Sequence, residues 1–308
     1  MPPPSSTPSP AYRGRFAPSP TGPLHAGSML AAFGSWLLAR QANGQWLLRI
    51  EDLDPPREVA GAAAVQLQAL TRFGLQHDGE VVNQSQRGQL YREALDRLIA
   101  AGLAFECHCS RTELAAAGGI HRRCVAASRR PDPAIRLRVA DDCEIGFDDL
   151  VHGWVNQRVD CDVGDFVLLR ADGLWAYQLA VVVDDAAQAI TDVVRGADLL
   201  DSTPRQILLQ RALGLPTPKY AHLPLLLDTE GRKLSKSDAA SPVDAGDPLP
   251  TLHALWRCLG QAPLVDASLR TPSEFLDVAV HTFQPDQIPR QALPASAAVH
   301  NTAETSRD

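Results

Sequence analysis

The chain has 308 residues, 45% hydrophobic and 21% charged, enough to bury a sizeable core in one large domain or two smaller ones. A net charge of −7 argues against a general nucleic-acid binder, while leaving room for RNA docked on a local basic patch. No apolar run is long enough to span a membrane, and the Pro- and Ser-rich start lacks the basic and apolar parts of a secretory signal.

Residues 1–12 read as a disordered lead-in. The stretch Arg15 to Ser28 then runs through three prolines into His25-Ala26-Gly27-Ser28. Gly27 lets backbone approach a ligand closely, and Ser28 is the expected N-cap of a helix over Met29 to Arg40. A helix N-terminus suits a phosphate, and His25 beside it can donate to a phosphoryl oxygen; as residues alone, the stretch is equally a loop before a helix. Trp46 to Ile50 reads as a buried strand ending in Glu51-Asp52-Leu53-Asp54-Pro55-Pro56-Arg57. Acids at a strand's C-terminal end lie where open α/β sheets bind ligands, although the prolines also fit a capped turn. Val59 to Phe73 and Arg87 to Ala101 have helical periodicity, with Gly74 and Gly102 as stops. Strand–helix alternation of this kind favours a parallel sheet.

Cys107, Cys109, His121 and Cys124 follow, spaced C-x-C, eleven residues, then H-x-x-C. Three thiolates and an imidazole suit a tetrahedral structural zinc, and a reducing compartment favours metal over a disulfide. Gly118-Gly119 lets the chain turn back so that the two halves meet. His108 competes with His121 as the fourth ligand, and ordinary buried cysteines are the bland alternative. Cys143, Cys161 and Cys258 have no ligand spacing and read as structural. Seven arginines between Arg111 and Arg138 form either a patch for RNA or a solvated basic face.

Ala134 to Val139 and Asp165 to Arg170 read as strands, and Asp172-Gly173 as a hairpin turn. Ser202 to Gly214 is a helix with an N-cap, an early Pro and a Gly stop. Tyr220 to Asp228 then feeds Lys233-Leu234-Ser235-Lys236-Ser237. Only three of the 29 basic residues are lysines (Lys219, Lys233 and Lys236), and two of them share this five-residue loop. Lysine offers a mobile point charge able to follow phosphates, where arginine offers a planar fork. Leu252 to Leu259 reads as a helix, and Pro294 onward as small, polar and frayed.

The string Arg15-Phe16-Ala17-Pro18-Ser19-Pro20-Thr21-Gly22 with Leu24-His25-Ala26-Gly27, followed late by Lys233–Ser237, resembles the two signatures of class I aminoacyl-tRNA synthetases in their usual order. The first string is similar to that of the glutamate-specific branch, and the likeness runs from about residue 13 to 237. It implies an α/β fold: a Rossmann-like parallel-sheet catalytic domain with an inserted zinc-bearing subdomain and a short C-terminal helical remainder. The halves of the catalytic domain fall at 13–104 and 166–240, the insertion at 105–165, and the helical segment and tail at 241–308.

The resemblance also implies roles. His25, Lys233 and Lys236 are catalytic and, with Gly27 and Ser28, hold ATP accompanied by Mg²⁺. Arg15, Phe16, Ala17, Pro18, Ser19, Glu51, Tyr177 and Arg195 hold L-glutamate, with Glu51 on the ammonium and arginine forks on the carboxylates. A buried ion-pair network would use the same residue types. The zinc spacing is similar to that of glutamyl-tRNA synthetase paralogues, where a tyrosine usually stands in place of His121 and one more residue precedes the last cysteine.

Full glutamyl-tRNA synthetases continue with an anticodon-binding region larger than the residues after Ser237. The chain therefore looks like the glutamyl-Q tRNA(Asp) synthetases. That likeness implies a cytoplasmic monomer with no membrane partner, which activates glutamate without tRNA. It then esterifies glutamate onto queuosine in the anticodon stem-loop of tRNA(Asp). A conventional glutamyl-tRNA synthetase, an adenylating enzyme with a small-molecule acceptor, and a non-catalytic RNA-binding module remain as alternatives.

Overall fold

The computed structural model describes residues 11–233, 246–264 and 269–298, so Lys236 and its neighbours from Leu234 to Ser237 lie outside the described residues. No described helix is long and apolar enough to cross a membrane. The first half alternates as the apolar spacing predicts. β1 (Arg13–Phe16) leads into α1 (Ala26–Gln41), β2 (Gln45–Ile50), α2 (Ala62–Arg72), β3 (Val82–Asn83) and α3 (Gly88–Ala100). β1, β2 and β3 are parallel neighbours in that order. α1 is buried on nearly every side from Met29 to Ala39, as befits the central helix of an α/β domain. The buried Trp46 indole on β2 donates to Ser35 Oγ on that helix at 2.9 Å, so its polar atom is satisfied within the core.

The middle of the chain holds β4 (Ala104–Cys107), α4 (Arg111–Ala116), β5 (Ala134–Leu137), β6 (Glu144–Asp149), β7 (Gly153–Arg158), α5 (Val159–Asp162) and β8 (Phe166–Leu169). β4, β5 and β8 form an antiparallel sheet of their own. The turn at Asp172-Gly173 closes a single antiparallel bridge, Leu169 to Trp175, because the chain enters a helix at Tyr177. That helix is α6 (Tyr177–Ala187), followed by β9 (Asp192–Gly196), α7 (Thr203–Leu213), β10 (Lys219–Leu223) and β11 (Leu226–Leu227).

A second sheet has the order β7-β6-β10-β9, parallel except for the β6–β7 hairpin. The stretch 105–165, read from the sequence as one insertion, is thus not all set apart. β6 and β7 join the main parallel sheet because β6 pairs with β10. The Thr191 N–H donates to the Arg13 carbonyl at 2.9 Å, and the Arg13 N–H to Thr191 Oγ1 at 2.8 Å, so β9 enters beside β1. From β1 the chain winds outward through β2 and β3; from β9 it winds the other way through β10. The C-terminal ends of β1 and β9 therefore flank a topological switch point, the place where open α/β sheets bind ligands.

The last described elements are α8 (Pro248–Cys258), α9 (Pro272–Thr282) and β12 (Leu293–Pro294). α8 and α9 cover α1 through a ring cluster, with Phe275 6.4 Å from Phe33 and 6.1 Å from Trp256 between centroids. The chain does not fray at Pro294. Leu293–Pro294 pairs in parallel with Leu226–Leu227, and Ala298 packs into the main core, because the small side chains there fit beneath α8.

Candidate active site

The loop before α1 is pinned before it reaches the helix. The Glu51 N–H donates to the Pro18 carbonyl at 3.0 Å and the Val59 N–H to that of Pro20 at 2.9 Å. The buried Gln66 amide donates to the carbonyls of Ser19 at 3.0 Å and Gly22 at 2.7 Å. The loop is thereby fastened across the C-terminal end of β2. α1 then starts at Ala26, earlier than the expected Met29, and its cap is His25 in place of Ser28. The reason is local: an imidazole can accept from the N–H three residues on, as Ser or Asp does at other helix starts. His25 Nδ1 accepts from the Ser28 N–H at 3.3 Å, and Nε2 lies 3.0 Å from Ser28 Oγ. Gly27 makes room for this fold, since a Cβ there would sit 3.1 Å from His25 Cε1. The first turn carries no acid, which leaves the positive end of the helix dipole uncompensated.

A cleft of about 510 Å³ opens at the switch point. It is lined by the run Arg15 to Ser19, by His25, Gly27 and Ser28, and by Glu51, Tyr177, Arg195 and Lys233. Every residue named from the sequence for ATP or glutamate lies on it except Lys236, which falls outside the described residues.

Charge is laid out unevenly around this cleft. Arg15 holds Asp185 through Nε at 3.0 Å and Nη2 at 3.4 Å, leaving Nη1 without a hydrogen-bond partner among the described residues. Arg49, wholly buried on β2, lies 2.8 Å from Asp185, 3.5 Å from Glu51 and 3.9 Å from Asp184. Asp184 also accepts from Gln84 and the Tyr91 hydroxyl, each at 2.7 Å. Burial pushes Asp185 up, but the cations Arg15 and Arg49 outweigh it and hold its carboxyl below the usual range. Glu51 moves the other way: burial raises its pKa against the pull of Arg49 and Arg15. Its Oε1 is buried and has no hydrogen-bond partner among the described residues. Asp185→Asn should destabilise the protein by about 3 kcal/mol in urea unfolding, because two buried guanidiniums lose their shared charge. A change within about 0.5 kcal/mol would contradict that reading.

On the facing side, Arg195 at the end of β9 donates from Nη1 to the Tyr177 hydroxyl at 3.3 Å. Lys233 arrives on a short hairpin in which the Asp228 N–H donates to the Arg232 carbonyl at 2.8 Å and Asp228 Oδ1 accepts the Arg232 N–H at 2.9 Å. Its ammonium pairs with Asp198, which like His25 lines the cleft.

Away from the cleft, the sulfurs of Cys107, Cys109 and Cys124 lie within 4.8 Å of one another. Cys109 and Cys124 are 3.6 Å apart, close to the ~3.7 Å expected between thiolates on one tetrahedral zinc. His121 stands at the edge of this group, with Nε2 3.2 Å from Cys107 Sγ. Its other nitrogen, Nδ1, lies 2.9 Å from Asp165 Oδ2, the arrangement that aims a ligating imidazole. His108 is engaged elsewhere, accepting from the Arg130 N–H at 3.0 Å, so His121 is the histidine that meets the sulfurs. These donors fit a zinc ion. Gly164, at φ +69°, lets β8 pass the His121 backbone; a Cβ there would come 2.3 Å from the His121 carbonyl oxygen. Gly164→Ala should therefore cost about 2–3 kcal/mol by thermal unfolding, and a loss below about 0.5 kcal/mol would show that the strand can shift freely.

Residues 11–133 and 124–248 match the family described as tRNA synthetases class I (E and Q), catalytic domain. A glutamyl-Q tRNA(Asp) synthetase of Xanthomonas oryzae pv. oryzae is 63% identical over 286 residues, covering 92% of this chain and 95% of the relative. The chain belongs to the glutamyl-Q tRNA(Asp) synthetase family. It is an enzyme of the ligase class, as are the other members. A family member from Neisseria meningitidis serogroup C is 50% identical over 296 residues, covering 92% of this chain and 99% of its own. The fold is also that of a crystallised glutamate tRNA ligase from Elizabethkingia meningosepticum in complex with its amino acid. The TM-score is 0.78 at 26% identity, over 94% of this chain and 68% of that one.

Several charged residues behind or on this family member's cleft went unread in the sequence. Arg49 sits inside an apolar strand, and Asp184-Asp185 close an apolar run; a charge within apolar periodicity signals a buried partner. Asp198, the partner of Lys233, carried no such signal.

Proposed function

We propose that the chain joins L-glutamate to ATP without the help of tRNA, forming glutamyl-adenylate. It then passes glutamate to a hydroxyl of the queuosine cyclopentenediol in the anticodon of tRNA(Asp). The observation that carries this reading is Glu51, a buried carboxylate whose Oε1 accepts no hydrogen bond among the described residues, on a cleft shared with Arg15 and Arg195. Free glutamate offers one ammonium and two carboxylates, the complement of that set. Glu51 takes the ammonium; Arg15 through Nη1, and Arg195 with Tyr177, take the carboxylates. Phe16, Ala17, Pro18 and Ser19 wall the amino-acid end.

A carboxylate oxygen of glutamate attacks the α-phosphorus of ATP in line, and the bond to pyrophosphate breaks. Positioning and charge stabilisation dominate such a transfer. His25, the Gly27 backbone N–H, the Ser28 hydroxyl and Lys233 stabilise the developing charge, with Lys236 three residues further on and Mg²⁺ brought by ATP. Cys107, Cys109 and Cys124, with His121 beside Cys107, would hold a zinc whose part is structural. In this reading 13–104 and 166–240 are the catalytic halves and 105–165 carries the zinc segment together with the β6–β7 strands. A short helical segment and tail occupy 241–308. The protein works in the cytoplasm as a monomer.

The acceptor is supported by the relatives' names and is tested directly. Labelled glutamate, ATP and the enzyme are incubated with tRNA(Asp) carrying either queuosine or guanosine in the anticodon. Label on the anticodon fragment of the queuosine form alone is expected. Label on the 3′-terminal fragment of either tRNA would instead identify a conventional charging enzyme.

A further inference from the structure

Behind the cleft, Arg195 is tied down by a buried chain of polar groups that the proposed chemistry does not use. Its Nε donates to His222 Nε2 at 3.1 Å, and its Nη2 to Thr203 Oγ1 at 2.8 Å and to the Leu199 carbonyl at 3.4 Å. With Nη1 donating to Tyr177, one further N–H on Nη1 is left for the cleft. His222 accepts from Arg195 only when Nε2 carries no proton. The opposite nitrogen, Nδ1, lies 2.6 Å from Asp149 Oδ2, and a carboxylate at that point keeps the proton on Nδ1. Asp149 is itself held, its Oδ1 accepting the N–H groups of Val151 and His152 at 3.0 Å each.

The chain crosses three neighbouring parallel strands at their C-terminal ends. Asp149 ends β6, His222 lies on β10, and His222 is in direct register with Arg195 on β9. Asp149, His222 and Arg195 are 3%, 0% and 5% exposed, so no water competes for these bonds. Burial lowers the His222 pKa, against Asp149 and with Arg195 adding to burial, which keeps the ring an acceptor. A histidine serving as core filler needs neither partner; this one joins a carboxylate to the guanidinium that faces the cleft.

We propose that Asp149 and His222 are positioning residues that fix the Arg195 guanidinium, and so set the affinity for the glutamate carboxylate. The inference rests on the reading of Arg195 as a glutamate ligand. In Asp149→Asn the amide can donate to Nδ1, which moves the ring proton to Nε2 and sets it against the Arg195 Nε–H. His222→Leu removes the acceptor, whereas His222→Gln supplies an amide oxygen in its place.

The test is ATP–pyrophosphate exchange, with KM for glutamate, KM for ATP and kcat measured separately. Asp149→Asn and His222→Leu should raise the glutamate KM about ten- to a hundredfold, with ATP KM and kcat within about threefold of wild type. His222→Gln should restore the glutamate KM to within about threefold. An unchanged glutamate KM in the first two variants overturns the proposal, and so does an equal rise in both KM values, which marks general loss of structure. Nitrogen-15 NMR of histidine-labelled wild-type protein reads the tautomer without any variant: a proton on Nδ1 of His222 is required, and a proton on Nε2 overturns the relay. Wild-type protein with no glutamate-dependent exchange would sink the reading of the cleft instead, while the tautomer still decides the relay.

Discussion

Glu51→Gln should abolish glutamate activation and at the same time make the ligand-free protein more stable at neutral pH. The two effects have one cause. A buried carboxylate whose Oε1 has no hydrogen bond is costly when charged, which is why its pKa is raised above the ordinary 4.5. Below that value both the folded and unfolded chains hold the proton, and Glu51 costs nothing. As the pH climbs past about 4.5, the unfolded chain ionises first and stability is lost until the raised folded pKa is passed. An amide has no such term, so the melting temperatures of variant and wild type should separate above that pH. Arg49 keeps Asp185 at 2.8 Å in the variant and is not left alone. In activity, losing the buried counter-charge for an ammonium should lower kcat/KM for glutamate about a hundredfold or more. Exchange at the wild-type rate, or a lower melting temperature at pH 7, would contradict this account of the cleft.

Zinc removal should have the larger structural effect. Purified protein should carry one zinc per chain, and Cys107→Ser or Cys109→Ser should lose it. Structural zinc contributes up to about 10–16 kcal/mol in small metal-folded peptides, so the segment from β4 to β5 should lose hydrogen-exchange protection without it. The sheets at the cleft have their own core and should persist. Asp165→Asn, which leaves all four donors in place, should weaken zinc about ten- to a hundredfold through the loss of its bond to His121 Nδ1. Cobalt substitution offers an independent reading, since three thiolates give a strong charge-transfer band. Protein that is fully folded at this segment with no bound metal would refute the assignment.

How far the sequence could be read differs between local and distant features. Strands such as β2 and helices such as α2, α3 and α7 follow from apolar spacing and glycine stops within a few residues. The loop Arg15–Ser28 and Lys233 could be singled out because unusual residue types are concentrated there, and both line the cleft. The helix start was missed by three residues because an imidazole performed the capping usually expected of serine. The Arg15–Asp185 pair spans 170 positions, and Asp149 to His222 spans 73; only strand order brings such residues together. Nothing in local composition announces that β6 lies beside β10, so the role of β6 in the main sheet was invisible as well.

The central claim is that this cleft adenylates glutamate, and ATP–pyrophosphate exchange in the absence of tRNA tests it most directly. The account predicts exchange with glutamate and not with glutamine or aspartate, since an ammonium on Glu51 and two carboxylates on Arg15 and Arg195 must be spaced as in glutamate alone. Exchange that appears only when tRNA is added would contradict tRNA-independent activation, and no exchange under either condition would contradict the cleft as a catalytic site.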